Sequence, residues 1–290
     1  MAVVQIGRER GGAWDFAGPG DSGSSGAGMI GYRDIGGAGL DLRVAGTTAI
    51  TVVIGFGDRE LIVDDAEGHK ELGGFAVGLP VEAMRIRGER AECIEVRLPP
   101  ARAYSLLGIP PAELGRGVVD LDDLWGGRAL HLRERLGAAR SWDERFAVTT
   151  AFLAQGDRPT RTLDPEVLAG WDRILTTRGR VRIGELAESL GWSAKRLSVR
   201  FESQIGLPPK RAAMLARFRH AVDGLLAGQP AADVAATCGY SDQAHLCRDM
   251  SLFTDHTPGA LTAHYRPAIA RDRYRAWGKF FQYGTGPLDR

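Results

Sequence analysis

Leu186-Ala187-Glu188-Ser189-Leu190-Gly191-Trp192-Ser193 and, about 48 residues on, Val234-Ala235-Ala236-Thr237-Cys238-Gly239-Tyr240-Ser241 are two copies of one short pattern. In each, an apolar run ends at a glycine followed by an aromatic residue, and a capping residue then opens a second apolar run. This punctuation predicts two short helices meeting at a tight turn, and its recurrence predicts two such helix-turn-helix units in series. Ser193 and Asp242 are the expected N-caps, because a Ser or Asp oxygen can accept from the orphan N–H groups at a helix start. Counted from those caps, Leu197 and Phe201 correspond to Leu246 and Met250, spaced i, i+4 so that both members face inward. The copies close alike, Gly206-Leu207-Pro208-Pro209 against Asp255-His256-Thr257-Pro258, with one extra residue in the second turn.

The first helix of each unit carries one apolar stripe: Ile183, Leu186, Ala187 and Leu190 in the first, Ala231, Val234, Ala235 and Cys238 in the second. Between the units, residues 209–227 read as a longer linking helix. Its buried face is Leu215, Phe218, Val222 and Leu225, and Gly228 and Pro230 end it. A helix from Pro165 to Thr177 is expected to cover the first unit, with Arg178-Gly179-Arg180 as its C-terminal punctuation. Trp192 and Tyr240 are expected in the core.

With these motifs in hand, residues 165–266 resemble the DNA-binding domain of AraC-type (AraC/XylS) transcription regulators. The resemblance rests on Leu-Ala-Glu-Ser-Leu-Gly-Trp-Ser, Gly-Leu-Pro-Pro-Lys-Arg, Gly-Tyr-Ser-Asp-Gln-Ala-His-Leu-Cys-Arg and His-Thr-Pro-Gly-Ala-Leu. Upstream, Phe75-Ala76-Val77-Gly78-Leu79, the Tyr104–Pro111 stretch and Val119-Asp120-Leu121-Asp122-Asp123-Leu124 are similar to the cupin-like N-terminal domain of one branch of that family. The resemblance implies two recognition helices entering successive major grooves of double-stranded DNA, and an N-terminal domain that senses a small effector, dimerises, or both. A homodimer is expected, RNA polymerase is a further candidate partner, and no catalysis and no cofactor are expected.

On the second helix of unit one, Lys195, Ser198, Val199 and Glu202 occupy the arc opposite Leu197 and Phe201, and Arg196 and Arg200 flank it, better placed for phosphates. On the second helix of unit two the equivalent arc is Gln243, Ala244, Cys247 and Arg248, with His245 beside it. Together with the caps Ser193 and Asp242 these are the candidate DNA-contacting residues. Gln can bond adenine and Arg guanine in a bidentate manner, each worth about 1–3 kcal/mol of discrimination, so Gln243 and Arg248 are the foremost base readers. Many family members carry Arg where Val199 stands, so unit one either reads a thymine methyl there or contributes less specificity. Met250 stands where Phe is usual and Asp255 where Gly is usual. Lys210-Arg211 and Arg217-x-Arg219 on the linking helix either touch the DNA backbone or serve the helix itself.

Composition agrees with a globular DNA-binding chain. Its 290 residues suffice for two domains, and 44% hydrophobic with 25% charged residues is the balance of a soluble protein. Net charge is +1, but residues 164–290 hold 18 Lys/Arg against 13 Asp/Glu, a net of +5, which leaves −4 for residues 1–163. A mildly basic module joined to an acidic one suits nucleic-acid binding. No apolar run is long enough to span a membrane. Arg8, Glu9 and Arg10 are not followed by an apolar stretch, as a signal peptide requires. Cys93, Cys238 and Cys247 form an odd count without metal-ligand spacing, and a cytoplasmic location is expected.

The expected fold class is α+β, a β-barrel or cupin-like domain with trailing helices followed by an all-α domain. The segments are 1–28, a flexible Gly/Ser-rich stretch; 29–157, the sensing and dimerisation domain; 158–164, a linker; 165–266, the DNA-binding domain; and 267–290, a basic aromatic tail. β-type runs are expected at Leu40–Val44, Thr48–Phe56, Glu60–Val63, Phe75–Leu79, Ala83–Arg87 and Glu92–Leu98, with Thr51–Ile54 the most buried. Helices are expected near Tyr104–Leu107, at 127–138 and at 141–155.

The chain also offers fragments of other chemistries. Gly20-Asp21-Ser22-Gly23 is like a serine-protease nucleophile loop but lies in the Gly/Ser-rich stretch without His and Asp partners. Metal-using cupins place several His and a Glu on adjacent strands, whereas this half offers only His69, expected in a loop, and His131, expected on a helix. Gly36-Gly37-Ala38-Gly39 lacks the Lys-Ser/Thr of a phosphate loop. The competing reading is an enzyme acting on a small molecule through the β-barrel domain. A DNA-repair fusion with an alkyl-accepting cysteine would need clustered N-terminal cysteines, and Cys93 stands alone. A protein-interaction module would show no DNA sequence preference.

Overall fold

The computed structural model of the chain describes residues 5–7, 14–18, 28–37, 39–44, 46–65, 67–79, 84–157, 162–254 and 257–260. Ten strands come first: β1 (Gln5–Gly7), β2 (Trp14–Ala17), β3 (Gly28–Asp34), β4 (Leu40–Val44), β5 (Ile50–Gly55), β6 (Leu61–Asp65), β7 (Gly68–Leu72), β8 (Gly74–Val77), β9 (Met84–Gly88) and β10 (Glu92–Leu98). There follow α1 (Pro100–Leu107), a 3-10 turn at Pro111–Leu114, β11 (Val118–Asp120), α2 (Leu121–Trp125), α3 (Gly127–Ala138) and α4 (Trp142–Gly156). The C-terminal part is helical: α5 (Pro165–Thr176), α6 (Ile183–Ser189), α7 (Ala194–Ile205), α8 (Pro209–Leu226), α9 (Ala231–Cys238) and α10 (Gln243–Thr254).

The strands pair antiparallel in two sheets, ordered β1-β4-β9-β6-β7 and β11-β8-β5-β10-β3-β2. This corrects the expectation of a barrel: no strand among the described residues closes the two sheets into one. The reason lies in β5 and β10. Strand side chains alternate between faces, and here both faces of the six-stranded sheet are covered. Val53, Phe75, Val77 and Cys93 point toward Leu42, Val63 and Ile86 of the five-stranded sheet in one buried cluster. Ile50, Val52, Ile54, Ile94, Val96 and Leu98 point the other way, onto Leu106, Leu121, Leu132, Leu136, Phe146 and Leu153 of the helices. Register matches this division, with Ile94 opposite Ile54, Val96 opposite Val52 and Leu98 opposite Ile50. Each such side chain removed from water is worth about 1.5–3 kcal/mol. Covering a sheet on both sides therefore gains more than closing it and leaving its outside wet.

Within the first 28 residues, read as flexible, the chain forms β1 and β2. Trp14 and Phe16 pack beside Tyr32, and Asp15 accepts from the indole N–H of Trp142 at 3.0 Å. The alternation Trp14-Asp15-Phe16 is a half-buried strand signal that the glycine count obscures. Of the densest Gly/Ser run, 18–26, all but Gly18 lies outside the described residues, as does the tail 267–290. His69, expected in a loop, sits in β7 with its Nδ1 2.8 Å from Asp64 Oδ1, while His131 is on α3 as read. Inside the sheets, Glu95 and Arg97 form a buried ion pair at 2.9 Å on the face of β10 turned away from the helices.

The core does not stop at residue 157. Leu163, Val167, Trp171 and the apolar residues of α6 to α10 belong to the same buried cluster as the helix-covered face of the six-stranded sheet. One seam is explicit. The 3-10 turn packs on the end of α7, where Gly206 closes the helix at φ +89 and a Cβ would lie 3.2 Å from Ala112 Cα. Both demands, positive φ and close approach, are met by glycine alone.

Candidate nucleic-acid interface

The two repeats build the same local structure. α6 runs into Gly191 at φ +69, and the N–H of Trp192 donates back to Ala187 O at 2.9 Å. α9 runs into Gly239 at φ +76, and the N–H of Tyr240 donates back to Ala235 O at 3.0 Å. Such glycine-closed ends satisfy carbonyls that the helix leaves open. They also drop the following aromatic, Trp192 or Tyr240, into the core. Ser193 then caps α7, its hydroxyl accepting from the N–H of Arg196 at 3.2 Å. Asp242 caps α10, its carboxylate accepting from the N–H of His245 at 2.6 Å, and that donation holds the Asp242 carboxyl below the usual carboxylate range. The extra residue of the second turn is Ser241, whose hydroxyl donates to Asp242.

Both units are anchored on α8, 18 residues and about 27 Å long. Leu197, Phe201 and Ile205 of α7 and Leu246, Met250 and Phe253 of α10 are fully buried, and the rings of Phe218 and Phe253 lie 4.6 Å apart. Arg217 and Arg219 serve this packing first. Arg219 has 0% exposure, and Arg217 stacks its guanidinium 4.7 Å over the Tyr240 ring while pairing with Asp249 at 3.4 Å. Burial is why Tyr240 holds its phenol proton well above the usual range.

Opposite the anchors, the arcs read from the sequence lie outward. Lys195 and Glu202 are exposed, Ser198 is half-buried, and Val199 is 59% exposed, an apolar side chain left in solvent on a helix otherwise well packed. In the second unit Gln243, Ala244 and Arg248 are exposed, while Cys247 is half-buried. His245 is also half-buried, edge-on to Tyr240 at 5.1 Å with Nδ1 3.3 Å from Ser241 Oγ. Two flanking arginines are less free than their spacing suggests. The guanidinium of Arg196 lies 4.5 Å over the Trp192 ring. Arg200 makes a two-pronged pair with Asp164, Nε to Oδ2 at 2.8 Å and a terminal nitrogen to Oδ1 at 2.9 Å. Although burial opposes it, that pair together with Gln204 holds the Asp164 carboxyl below its ordinary value.

A basic feature that the sequence reading passed over lies between the two units. Arg173, Arg180, Arg182 and Arg217, with one carboxylate, Glu185, line an open cleft of about 520 Å³ that also touches Gly239. Cys238 behind it is buried, and burial raises its thiol above the usual range. Among the described residues no group of three or more His, Cys, Asp or Glu is placed to share a metal ion, and no helix is long and apolar enough to cross a membrane.

Residues 186–264 match a family of helix-turn-helix domains. Among solved structures, the chain is similar to the C-terminal domain of AraT, a response regulator from Geobacillus stearothermophilus: 20% identity, 35% of this chain and 86% of that one, TM-score 0.33. It is also similar to ToxT from Vibrio cholerae: 9% identity, 79% of this chain and 98% of that one, TM-score 0.48. A third is the AraC-like transcriptional activator CuxR: 12% identity, 93% and 88% covered, TM-score 0.20. No curated protein matches the sequence.

Proposed function

We propose that this chain, whose C-terminal region is a helix-turn-helix domain of the AraC type, is a sequence-specific transcription regulator that reads DNA with both α7 and α10. The observation that carries the reading is the pair of turn-cap-helix units on one rigid helix, each with its anchoring side chains buried in the core and the opposite arc turned out. Two helices so mounted enter successive major grooves on one DNA face, about one turn or 34 Å apart.

Gln243 and Arg248 are the base readers of unit two, and Ser193, Lys195, Ser198 and Val199 form the reading surface of unit one. Arg196 and Arg200 are positioned by Trp192 and Asp164, and Ala244, His245 and Cys247 shape the surface around Arg248. The N-terminal half modulates the readers through a small effector or by pairing two chains. The 3-10 turn against the end of α7 provides a contact through which a shift in the sheets and α1 biases unit one. RNA polymerase is the natural further partner of a DNA-bound regulator.

The test is selection of bound duplexes from a random pool by the purified chain at a stated salt concentration. A site of about 20 base pairs with two fixed blocks one turn apart is the expected result, and Arg248→Ala should relax preference in one block by about 1–3 kcal/mol per base pair. Enrichment of no sequence, by the full chain and by the fragment 160–290 alike, would sink the reading.

A further inference from the structure

The arginine-lined cleft between the two units is not part of either reading arc. Arg180 sets its aliphatic stem against the second turn, so close that a Cβ on Gly239 would lie 3.1 Å from Arg180 Cδ. Arg182 stands at the N-terminal end of α6, where no side chain caps the free backbone N–H groups. Arg173 comes from the last turn of α5. Gly179, at φ +74, folds the connecting loop so tightly onto α8 that a Cβ would collide with Ala213 O. The loop is thus held rigidly in a place where its cations converge.

Among the described residues little neutralises them. Glu185 approaches Arg182 at 3.3 Å, but at 86% and 67% side-chain exposure such a pair holds weakly. Arg217 is engaged by Asp249 and Tyr240. Among the described residues no carboxylate pairs with Arg173 or Arg180. Beside Gly179, Arg178 donates to His220 at 2.9 Å.

Location gives the cleft its ligand. The first helix of a helix-turn-helix crosses the DNA backbone while the second enters the groove. The start of α6 and the turn that precedes α10 both border this cleft, so it lies between the two grooves the chain reads. What separates successive major grooves on one duplex face is the sugar-phosphate backbone on either side of the minor groove. We propose that Arg173, Arg180 and Arg182 form a phosphate clamp that grips the DNA backbone between the two recognition helices. The clamp rests on the regulator reading above. It fixes the register of both readers without itself reading sequence.

The experiment measures affinity against salt for the full chain, Arg180→Gln, Arg182→Gln and the double variant, on the selected site and on an unrelated duplex. Each lost phosphate contact lowers the slope of log K against log salt by about 0.9. The wild-type advantage over the double variant should therefore shrink about twelvefold between 50 and 200 mM salt, on both duplexes, with base preference unchanged. Circular dichroism checks that the variants fold, and Arg173→Gln, on a different element, should add a similar decrement. An unchanged slope in folded variants overturns the clamp while leaving the regulator reading intact. So does an unchanged slope accompanied by binding of inorganic phosphate at the cleft, which would make the site one for a free anion. A chain that binds DNA with no preference fails the regulator reading, yet the slopes on the unrelated duplex still decide the clamp. Absence of any DNA binding overturns both.

Discussion

Arg200 offers a sharp test of how far an exposed arginine on a proposed recognition helix can be taken as a DNA contact. In the free chain its guanidinium is gripped by both carboxylate oxygens of Asp164, at 2.8 and 2.9 Å. Side-chain exposures of 49% and 27% make this a solvent-facing pair, worth about 0.2–1 kcal/mol to stability. Breaking it should cost a folded core of this size no more than about 4 °C in melting temperature. For DNA binding the two partners differ: removing the cation changes nothing, while removing the carboxylate releases a phosphate-binding group. While Asp164 holds Arg200, the pair is neutral and displaces no counterion, so Arg200→Gln should leave the salt slope unchanged. Asp164→Asn frees the cation, and the slope should steepen by about 0.9, the value of one phosphate contact. Arg200→Gln in the Asp164→Asn background should then remove that gain. Fluorescence anisotropy titrations at four or five salt concentrations, on one duplex, resolve the four proteins of this double-mutant cycle. Flattening of the slope by Arg200→Gln alone would refute the reasoning and show that DNA outcompetes Asp164.

Two further outcomes follow from the core and its titrations. Phe218→Ala removes a ring with no exposure that supports Phe253, and should cost about 3–5 kcal/mol, read as a lowered urea midpoint. Burial first, and then the positive Arg178, hold His220 below its ordinary value of 6.5, against the opposing pull of Asp223. Below that value the unfolded chain binds the proton that the folded chain resists, so the contribution is fully present above about pH 6.5 and lost as the pH falls through the folded pKa. His220→Gln should flatten the urea midpoint between pH 7.5 and 5.5, and an unchanged slope would exclude His220 as its source.

The helical half was legible because its signals are local. A cap, an i, i+4 apolar pair and a closing glycine lie within one short stretch, and Ser193, Leu197, Phe201 and Gly206 specify α7 almost unaided. Helix ends fell within about two residues of their predicted places for the same reason. The sheets were harder. Thr51–Ile54 announced the most buried strand, but which elements cover its faces depends on Phe146 and Leu153, about a hundred residues away. β3 and β7 were missed because Gly28–Asp34 and Gly68–Leu72 are rich in glycine or charge, and pairing, of β3 with β10 and β2 and of β7 with β6, makes them strands. The outward arcs of α7 and α10 could be read from periodicity; the engagement of Arg200 by Asp164 could not, since 36 residues separate the partners. The arginine cleft escaped for a related reason. Arg178-Gly179-Arg180 looks like the end of a helix, and its convergence with Arg217 and Gly239 exists only once α8 brings them side by side.

The two units on α8 are alike in build but not in surface: Val199 faces outward on one and Arg248 on the other. A protein that grips DNA through two identical halves about a twofold axis has no front or back. This chain has both. A single copy, holding two unlike readers on one rod, lands on its site in only one of two directions, as an arrow and not as a bar. On the proposed reading, the stretch of DNA under one copy is then asymmetric, and turning that stretch end for end turns the copy with it. The N-terminal half then faces the opposite way along the duplex.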